Sequence, residues 1–373
     1  MHHCLPSSND RLNGGVWTWK AMGYWAPIQQ LRFRGGLQKA VRAPNVRELF
    51  EEPTVDAGGI ADPCSPVFGL IDDPAIAAAC ARNGGVGLSP DEEVFFPLET
   101  RSGSTDLKAE TARTLTLGVV AQPLRGLNLT VDYYDIDIKD TIGTFGGGAQ
   151  FTLFGCIRGG GDPADPLCQA YQRAPSGEVT QIDLPTANLA RLRARGIDWQ
   201  MAYGFPLPVG AIRLNLSGTR LLSSEIELNR NIGAIDCGGA FGGICGGTIG
   251  GSATPKWKLF NRAAWTAGPV TLSLRHRFFS STRNSRFAGA EVLGFPPPTN
   301  LPTRARRLEA RHYFDLASSF AINRRYGLTL GVNNLTNRKP SLLGSQQIQA
   351  NTDPSLYDVL GRRFFVSINA RLR

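Results

Sequence analysis

The last residues of the chain alternate strictly between apolar and polar side chains. The apolar series is Phe364, Val366, Ile368, Ala370 and Leu372, and the intervening series is Phe365, Ser367, Asn369, Arg371 and Arg373. A period of two over these ten residues predicts a β-strand with one apolar and one solvated face. Because the solvated face carries arginine, we expect water behind it rather than a second sheet.

Ten earlier segments alternate in the same way, which gives eleven predicted strands. These segments are residues 17–25, 31–42, 111–122, 127–140, 191–204, 211–222, 255–265, 270–279, 308–322 and 328–335. In segment 127–140 the apolar phase shifts between Tyr133 and Tyr134, which predicts a β-bulge there. Helical periodicity is weak, and its best short example, Pro74–Arg82, lies inside a long connection.

The connections between these strands alternate between short and long. The short ones are residues 26–30, 123–126, 205–210, 266–269 and 323–327, and the long ones are 43–110, 141–190, 223–254, 280–307 and 336–360. A β-sandwich has connections of mixed length at both ends, whereas an outer-membrane barrel has short periplasmic turns and long extracellular loops. The sequence therefore predicts an all-β fold, an antiparallel up-and-down transmembrane β-barrel that is partial, with about eleven strands.

The composition narrows the class of protein. No run of about 18 apolar residues is present, so the sequence predicts no transmembrane helix. Residues 1–14 contain no basic segment followed by an apolar one, so we expect neither a secretory signal in them nor a place in the fold, which spans residues 15–373. A net charge of +9 is consistent with binding to nucleic acid or to anionic lipid, or with a barrel lumen lined by arginine. Nucleic acid is disfavoured because the basic residues are spread over alternating strands.

Six of the seven cysteines fall in pairs within the first three long connections. The pairs are Cys64 with Cys80, Cys156 with Cys168, and Cys237 with Cys245, and Cys4 is left over. We predict three local disulfides formed in an oxidising compartment, each of which stabilises its loop by about 3 kcal/mol. The alternatives are free thiols or a metal cluster, although no CxxC spacing is present.

Several polar and aromatic residues are candidates for function. Six arginines occupy polar positions of the predicted strands, Arg32, Arg34, Arg42, Arg213, Arg275 and Arg277. They are either contacts for an anionic ligand or an ordinary polar lining that packs against a plug, and the second interpretation is favoured. Five tryptophans near strand ends, Trp17, Trp19, Trp25, Trp257 and Trp265, are typical of a membrane-interface girdle.

The remaining candidates carry weaker signals. Asp132, Asp135, Asp137 and Asp140 suggest calcium only weakly, because residues two apart on a strand are too far apart for a tight cage. His276 and His312 lie at positions that we expect to face lipid. The basic run 303–311 suits a solvated face or lipopolysaccharide. No GxSxG, HExxH or phosphate-loop motif is present, so we predict no catalysis, no cofactor and no metal.

Four stretches resemble the C-terminal half of the β-barrel of a TonB-dependent outer-membrane receptor. They are TWKAMGYWAPIQQLRFRGGLQKAVRAPNVRELF (18–50), DLKAETARTLTLGVV with DYYDIDIKDTI (106–120 and 132–142), ARGIDWQMAYGF (194–205), and GVNNLTNRKP with YDVLGRRFFVSINARLR (331–340 and 357–373). The segments RAPNVRELF and GVNNLTNR are the most specific. Together with their order, these stretches span nearly the whole of residues 15–373.

The resemblance implies a 22-stranded barrel filled by a plug, which imports a scarce ligand such as a ferric siderophore across the outer membrane of a Gram-negative bacterium. This chain departs from that pattern because it has about half the strands, no plug or coupling box, and Arg373 in place of a terminal aromatic residue. We therefore expect a fragment. Its expected partners are outer-membrane lipid and lipopolysaccharide, the missing barrel half and plug, and TonB through that missing part. The alternatives are a structural or adhesive outer-membrane protein, or a passive porin.

Overall fold

The computed structural model describes residues 7–10, 14–89, 94–242, 245, 253–285, 303–343 and 351–370. The strands are β1 (Ser7–Asp10), β2 (Gly14–Trp17), β3 (Trp19–Ile28), β4 (Leu31–Arg42), β5 (Thr54–Ala57), β6 (Leu98–Ser102), β7 (Glu110–Ala121), β8 (Leu127–Lys139), β9 (Ile142–Thr144), β10 (Tyr171–Arg173), β11 (Val179–Asn188), β12 (Arg191–Pro206), β13 (Ala211–Glu227), β14 (Ala234–Asp236), β15 (Ala240–Phe241), β16 (Trp257–Ala267), β17 (Val270–Phe279), β18 (Thr282–Asn284), β19 (Arg307–Leu308), β20 (Arg311–Ala321), β21 (Tyr326–Asn333) and β22 (Arg363–Ala370).

Four short α-helices accompany these strands, α1 (Val46–Phe50), α2 (Pro74–Arg82), α3 (Ala149–Arg158) and α4 (Pro166–Gln169). The 3₁₀ helices are Pro66–Phe68, Leu70–Asp72, Phe145–Gly147 and Thr303–Arg306. Within the described residues, none of the helices has the length and apolar character needed to cross a membrane.

Eleven long strands form one antiparallel sheet in the order β3-β4-β7-β8-β12-β13-β16-β17-β20-β21-β22, and β14 adds to β13. Each strand pairs with its neighbour along the chain, which is an up-and-down arrangement and confirms the predicted fold class. The strands β3 and β22 lie at the two edges. The hairpin β1-β2 forms a separate two-stranded sheet.

The two ends of the long sheet differ in their connections. Short turns join its strands at one end, the turn end, and positive φ angles at Gly126 and Gly210 allow two of these turns. At the other end, the loop end, five long segments connect the strands: loop 1 (43–109), loop 2 (140–190), loop 3 (228–256), loop 4 (280–310) and loop 5 (334–362). The predicted alternation of turns and loops is therefore confirmed.

The two faces of the sheet have opposite chemistry over most of its height. The apolar face carries Phe33, Val131, Leu274 and Leu330, which are between 38% and 49% exposed. On the polar face one row joins Arg34, Gly118, Asp132, Asp198 and Thr219 across β4, β7, β8, β12 and β13. A large, exposed apolar surface on one side only is typical of a sheet that faces lipid.

The predicted β-bulge in β8 is wrong. The pairing of β8 with β7 and with β12 runs without a register shift from Lys139 to Leu129. The shift lies instead between β12 and β13, where Arg195 is opposite Ser223 and Gly196 is opposite Leu221. The apolar side chains of β8 change from one face to the other for another reason. The strand stays regular, but its surroundings change near the loop end.

At the loop end the two faces exchange their polarity. The face that is polar in the middle of the sheet carries an apolar row at the loop end. This row consists of Ala112, Ile138, Leu192, Ile226 and Ile235. Here Leu192 and Ile226 pack with Phe151 and Phe154 of loop 2, so the loops cover this part of the face. Tyr134, Ile136 and Ile138 are apolar for this reason.

On the opposite face, above the apolar surface, the next row is charged. We call this the charged row, and it joins Lys39, Arg113, Asp137, Arg193 and Glu225 across five strands. The charges lie on the same side of the strands as Leu37, Leu115 and Val131 but closer to the loop end. The level at which apolar side chains give way to charged ones therefore marks the upper limit of the apolar surface.

The long loops pack on one another in three clusters. The first joins loops 1 and 2, the second joins loops 2 and 3 to β13, and the third joins loops 3, 4 and 5 to β17 and β20. Loops 1 and 2 also share a five-stranded sheet in which β6 pairs in parallel with β11. Together the described parts of these loops form one continuous layer, the loop layer, over the polar face.

Candidate functional site: the loop layer and the polar face below it

A buried ion pair holds loop 1 to loop 2. Arg173 of β10 donates from Nη1 to Asp62 Oδ2 at 2.6 Å, and its side chain is 5% exposed while that of Asp62 is fully buried. Asp62 Oδ1 also accepts the backbone N–H of Cys64 at 2.9 Å. Since two buried charges are stable only when they are paired and hydrogen-bonded, this contact fixes the relative position of the two loops.

Tyr171 extends the same contact. Its hydroxyl donates to Asn83 at the end of α2, and the Arg173 guanidinium lies 5.4 Å from its ring centroid. Burial in the shared core raises the pKa of the Tyr171 phenol, so the hydroxyl keeps its proton and remains a hydrogen-bond donor. Burial likewise raises the pKa of Tyr357 in loop 5, whose hydroxyl donates to the Glu309 carbonyl at 2.7 Å.

The structure contains three disulfides, each within one long loop, which confirms the prediction of disulfide bonds. They are Cys64–Cys80 in loop 1, Cys156–Cys168 in loop 2 and Cys237–Cys245 in loop 3. All six cysteines are buried in the loop clusters. Each disulfide therefore reduces the conformational freedom of its own loop in the unfolded state. The shared hydrophobic clusters hold one loop to the next. Cys4 lies outside the described residues.

Side-chain amides join loop 3 to loop 2. Asn229 donates from Nδ2 to the Gly146 carbonyl at 2.9 Å. Asn231 donates to the Gly155 carbonyl at 2.9 Å and to Asp165 at 3.2 Å. The Gly155 carbonyl also accepts the Gly159 N–H at 2.9 Å, so the amide of Asn231 adds a second donor there. These side-chain bonds hold loop 3 against both ends of the α3 region.

A cavity of about 680 Å³ lies between loops 2 and 3. Its polar wall contains Asp140, Asp162, Asp165, Asn188 and Arg230. Its apolar wall contains Phe145, Pro166, Leu167, Leu189 and Leu228. The volume and the mixture of apolar and convergent polar groups are those of a small-molecule site.

Below the loop layer, two of the predicted arginines of the polar face are paired with aspartates. Arg34 donates from Nε to Asp132 Oδ1 at 2.8 Å, and the pair bridges Gly118 on the strand between them. A Cβ at Gly118 would overlap the Asp132 carboxylate, so a larger residue there would have to displace the ion pair. Arg275 donates to Asp315 Oδ2 at 2.8 Å.

Other arginines of this face have no carboxylate partner among the described residues. Arg213 and Arg32 form no ion pair there, and Arg32 lies 5.3 Å from the Tyr24 ring centroid. Arg262 donates to the Ser273 hydroxyl at 2.8 Å and likewise lacks an acidic partner in that part of the chain. Arg262 is not among the arginines predicted from the sequence, although its alternation with Asn261 and Ala263 places it on the polar face.

Two further arginines hold loops against the wall. Arg277 of β17 bridges Asp315 of β20, at 3.3 Å, and Asp358 of loop 5, at 2.7 Å. Arg42 donates to Glu110 at 2.6 Å and to Glu48 of α1 at 3.0 Å. The contact of Arg42 with Glu48 is local, whereas the other contacts join residues that are far apart in sequence. Together they give Arg42 and Arg277 a structural role at the loop end.

The four aspartates that suggested calcium are not gathered at one point. Asp132 lies on the polar face, whereas Asp135 and Asp137 lie on the opposite face and pair with Arg193 and Arg191, each at 2.6 Å. Among the described residues, no cluster of His, Cys, Asp or Glu is suited to holding a metal ion.

The predicted histidines and tryptophans mostly lie on the apolar face. His276 Nε2 is 2.9 Å from His312 Nδ1, and the two rings stack. The tryptophans of this face include Trp19, Trp25, Trp257 and Trp265, while Trp17 ends β2 in the separate hairpin. The basic run begins with a 3₁₀ helix, continues through β19 and ends at Arg311.

An up-and-down sheet with one lipid-like face, a polar face and long disulfide-bonded loops at one end defines a class, the walls of outer-membrane β-barrels. A family model described as "TonB dependent receptor-like, beta-barrel" matches residues 6–335. The chain therefore belongs to the TonB-dependent receptor β-barrel family, whose members are outer-membrane receptors and transporters.

Solved structures with a similar fold include two siderophore receptors. A ferric enterobactin receptor (PfeA) from Pseudomonas aeruginosa is 16% identical, with a TM-score of 0.61 over 98% of this chain and 41% of that one. The siderophore receptor PirA from Acinetobacter baumannii is 14% identical, with a TM-score of 0.57 over 96% of this chain and 41% of that one. No curated protein matches the chain. The chain spans about two fifths of the length of these receptors.

Proposed function

We propose that this chain forms part of the wall and of the ligand-facing loops of an outer-membrane receptor that imports a scarce ligand, such as a ferric siderophore, in a TonB-dependent manner. The family membership supports the receptor class and an outer-membrane location in a Gram-negative bacterium. The names of the similar structures, which are receptors for ferric enterobactin and other siderophores, support the ligand class.

The observation that carries this proposal is the excess of positive charge on the polar face below the loop layer. Arg213 and Arg262 lie on neighbouring strands of this face without acidic partners in the described part of the chain, and Arg275 is about half exposed despite its pair with Asp315. Unpaired guanidinium groups in a confined space attract anions. An anionic iron chelate that passes the loop layer would meet Arg262 and Arg275 at mid-height of the wall and Arg213 near the turn end.

We further propose that the rest of the receptor supplies what this sheet lacks. The edges β3 and β22 expose backbone groups that lipid cannot satisfy, and further barrel strands would pair with them. A plug and its contact with TonB would belong to that remaining part. Arg32 and Arg34 are proposed as contacts with the plug or the ligand. No catalytic step is proposed for the chain.

The location is tested by fractionating cells that express the chain together with the remaining receptor. We expect migration with the outer membrane and heat-modifiable mobility in gels, as for folded barrels. Recovery of the chain with soluble protein would contradict the proposal.

The ligand class is tested with the purified chain in detergent, by titration with a ferric catecholate chelate and measurement of tryptophan fluorescence. Replacing Arg213 and Arg262 by glutamine should weaken binding about tenfold, or roughly 1.4 kcal/mol, since two cations are lost. The matched control Arg324→Gln, in the exposed short turn between β20 and β21, should leave the affinity unchanged. Equal affinities of all three proteins would contradict the ligand assignment.

A further inference from the structure

A second cationic site lies on the opposite face of the sheet from the polar face. Trp17, Lys39, Val41, Lys108 and Thr111 line a groove of about 580 Å³ at the loop end. The remaining lining residues are Gly15, Val16, Thr105, Asp106, Leu107 and Ala109. The positions of Lys39, Val41 and Thr111 in their strands place this groove on the same face as the apolar surface.

The lysines of this groove are not neutralised by neighbouring carboxylates. Neither Lys39 nor Lys108 forms an ion pair within the described residues, and the groove lining contains one carboxylate, that of Asp106. Arg113 is directly opposite Lys39 in the charged row and extends the positive charge by one strand. Three cations at the edge of one groove favour an anionic occupant.

The nearest acidic residues of the charged row are occupied elsewhere. Asp137 is opposite Arg113, but it accepts from Arg191 at 2.6 Å. Farther along, Asp135 accepts from Arg193, and Glu225 accepts from Arg195 at 2.9 Å. The acidic residues farther from the groove are therefore already paired with arginines. The basic residues beside the groove keep their positive charge.

The surface next to the groove indicates which kind of anion would bind there. Directly below Lys39 and Arg113 on the same strands lie Leu37 and Leu115, followed by Phe33 and Leu117, all exposed. Trp17 and Trp19 flank the groove at this boundary, where indole rings prefer to lie between apolar and aqueous phases. An occupant that matches both regions has an anionic head and apolar chains.

We propose that this groove binds the phosphorylated head group of a glycolipid in the outer leaflet, with the acyl chains on the apolar surface below. Lys39, Lys108 and Arg113 contact the phosphates, and Trp17 packs beside the sugar. The inference rests on the membrane location in the proposed function but uses a different face of the sheet from the ligand site.

The test uses the full chain in detergent micelles, with native mass spectrometry and titration as readouts. The probes are a diphosphorylated, acylated diglucosamine lipid, the same lipid without phosphates, and inorganic phosphate. We expect the phosphorylated lipid to bind wild-type protein and the variant K39Q/K108Q/R113Q to bind about a hundredfold more weakly, since each basic residue near an anionic lipid surface contributes about fivefold.

Three further variants separate lost binding from lost folding. R113Q should weaken binding about fivefold and R113K should restore it, because the lysine keeps the charge. The variant R324Q, in the exposed short turn between β20 and β21, should bind the lipid like wild type. Undiminished binding by the triple variant would overturn the inference, as would equal binding of the dephosphorylated lipid.

Competition by inorganic phosphate at the same concentration as the lipid would also overturn it, since the site would then recognise an ion alone. Lipid binding without chelate binding would contradict only the ligand class in the proposed function, and the converse result would contradict only the glycolipid site. A chain that enters no lipid phase would contradict both.

Discussion

At the scale of single residues, burial decides what an ion pair contributes. Arg173 and Asp62 are almost completely removed from water, whereas Arg47 and Glu51 form a similar pair at 2.6 Å on the surface of α1. In the buried case, losing one partner leaves a charge without solvent or counter-ion. In the exposed case water replaces the lost partner.

Asp62→Asn should therefore open the contact between loops 1 and 2. We expect the free energy of local opening of this unit to fall by about 3–5 kcal/mol, because Arg173 remains buried without a counter-charge. Amide hydrogen exchange of β6 and β11, measured by mass spectrometry, checks this. Glu51→Gln is the matched control and should leave exchange in β6 and β11 unchanged. Unaltered protection in D62N would show that the pair does not hold the loops together.

At the scale of elements, the side chains on one face of a long strand change from apolar to charged along its length. In β8 the side chains of Val131 and Tyr133 belong to the apolar face, and Asp135 and Asp137 continue the same face at the loop end. In β12, Ile197 and Arg195 show the same change. A strand keeps its alternation of sides regardless of its surroundings, so the change in polarity reports the change in surroundings.

Val131 and Thr130 are adjacent residues on opposite faces of β8 and provide a direct test. Val131→Arg should destabilise the folded chain in lipid by about 2–4 kcal/mol, since it places a charge against the bilayer interior. Thr130→Arg, on the polar face, should change stability far less. Urea unfolding of both variants in vesicles measures the difference. Equal destabilisation would mean that the apolar face does not contact lipid.

At the scale of the whole molecule, the sheet is strongly held in its middle and weakly held at its edges. The central strands β12 and β13 pair on both sides, whereas β3 and β22 each pair on one side. Phe364, Val366 and Ile368 of β22 are 68–79% exposed, which is higher than on the interior strands. Unpaired edges of this kind are sites of strand addition.

The edge strands should gain protection when the remaining receptor is present. In the chain alone, about half of the amides of β3 and β22 should exchange rapidly, because alternate N–H groups point away from the single neighbour. Adding the rest of the receptor should slow their exchange and leave β12 and β13 as they were. Exchange that stays rapid in β3 and β22 would contradict strand pairing at these edges.

The sequence by itself determined the features that repeat locally. A period of two identified the strands, as in Phe364 to Ala370, and the alternation of short and long connections identified the up-and-down order. The position of Cys156 and Cys168 within one loop also favoured a disulfide between them. These features depend on residues close together in the chain, so their pattern survives in a single sequence.

Only the tertiary structure decided the features that depend on distant partners. The sequence did not determine that Arg34 pairs with Asp132 while Arg213 has no acidic partner among the described residues, because such partners are separated by many residues and chosen by register. It also could not distinguish a bulge in β8 from a change of surroundings at Tyr134, since both shift the apolar phase. Packing of loop 2 on Leu192 and Ile226 resolves this on the inner face, and on the opposite face the charged row begins where the apolar surface ends.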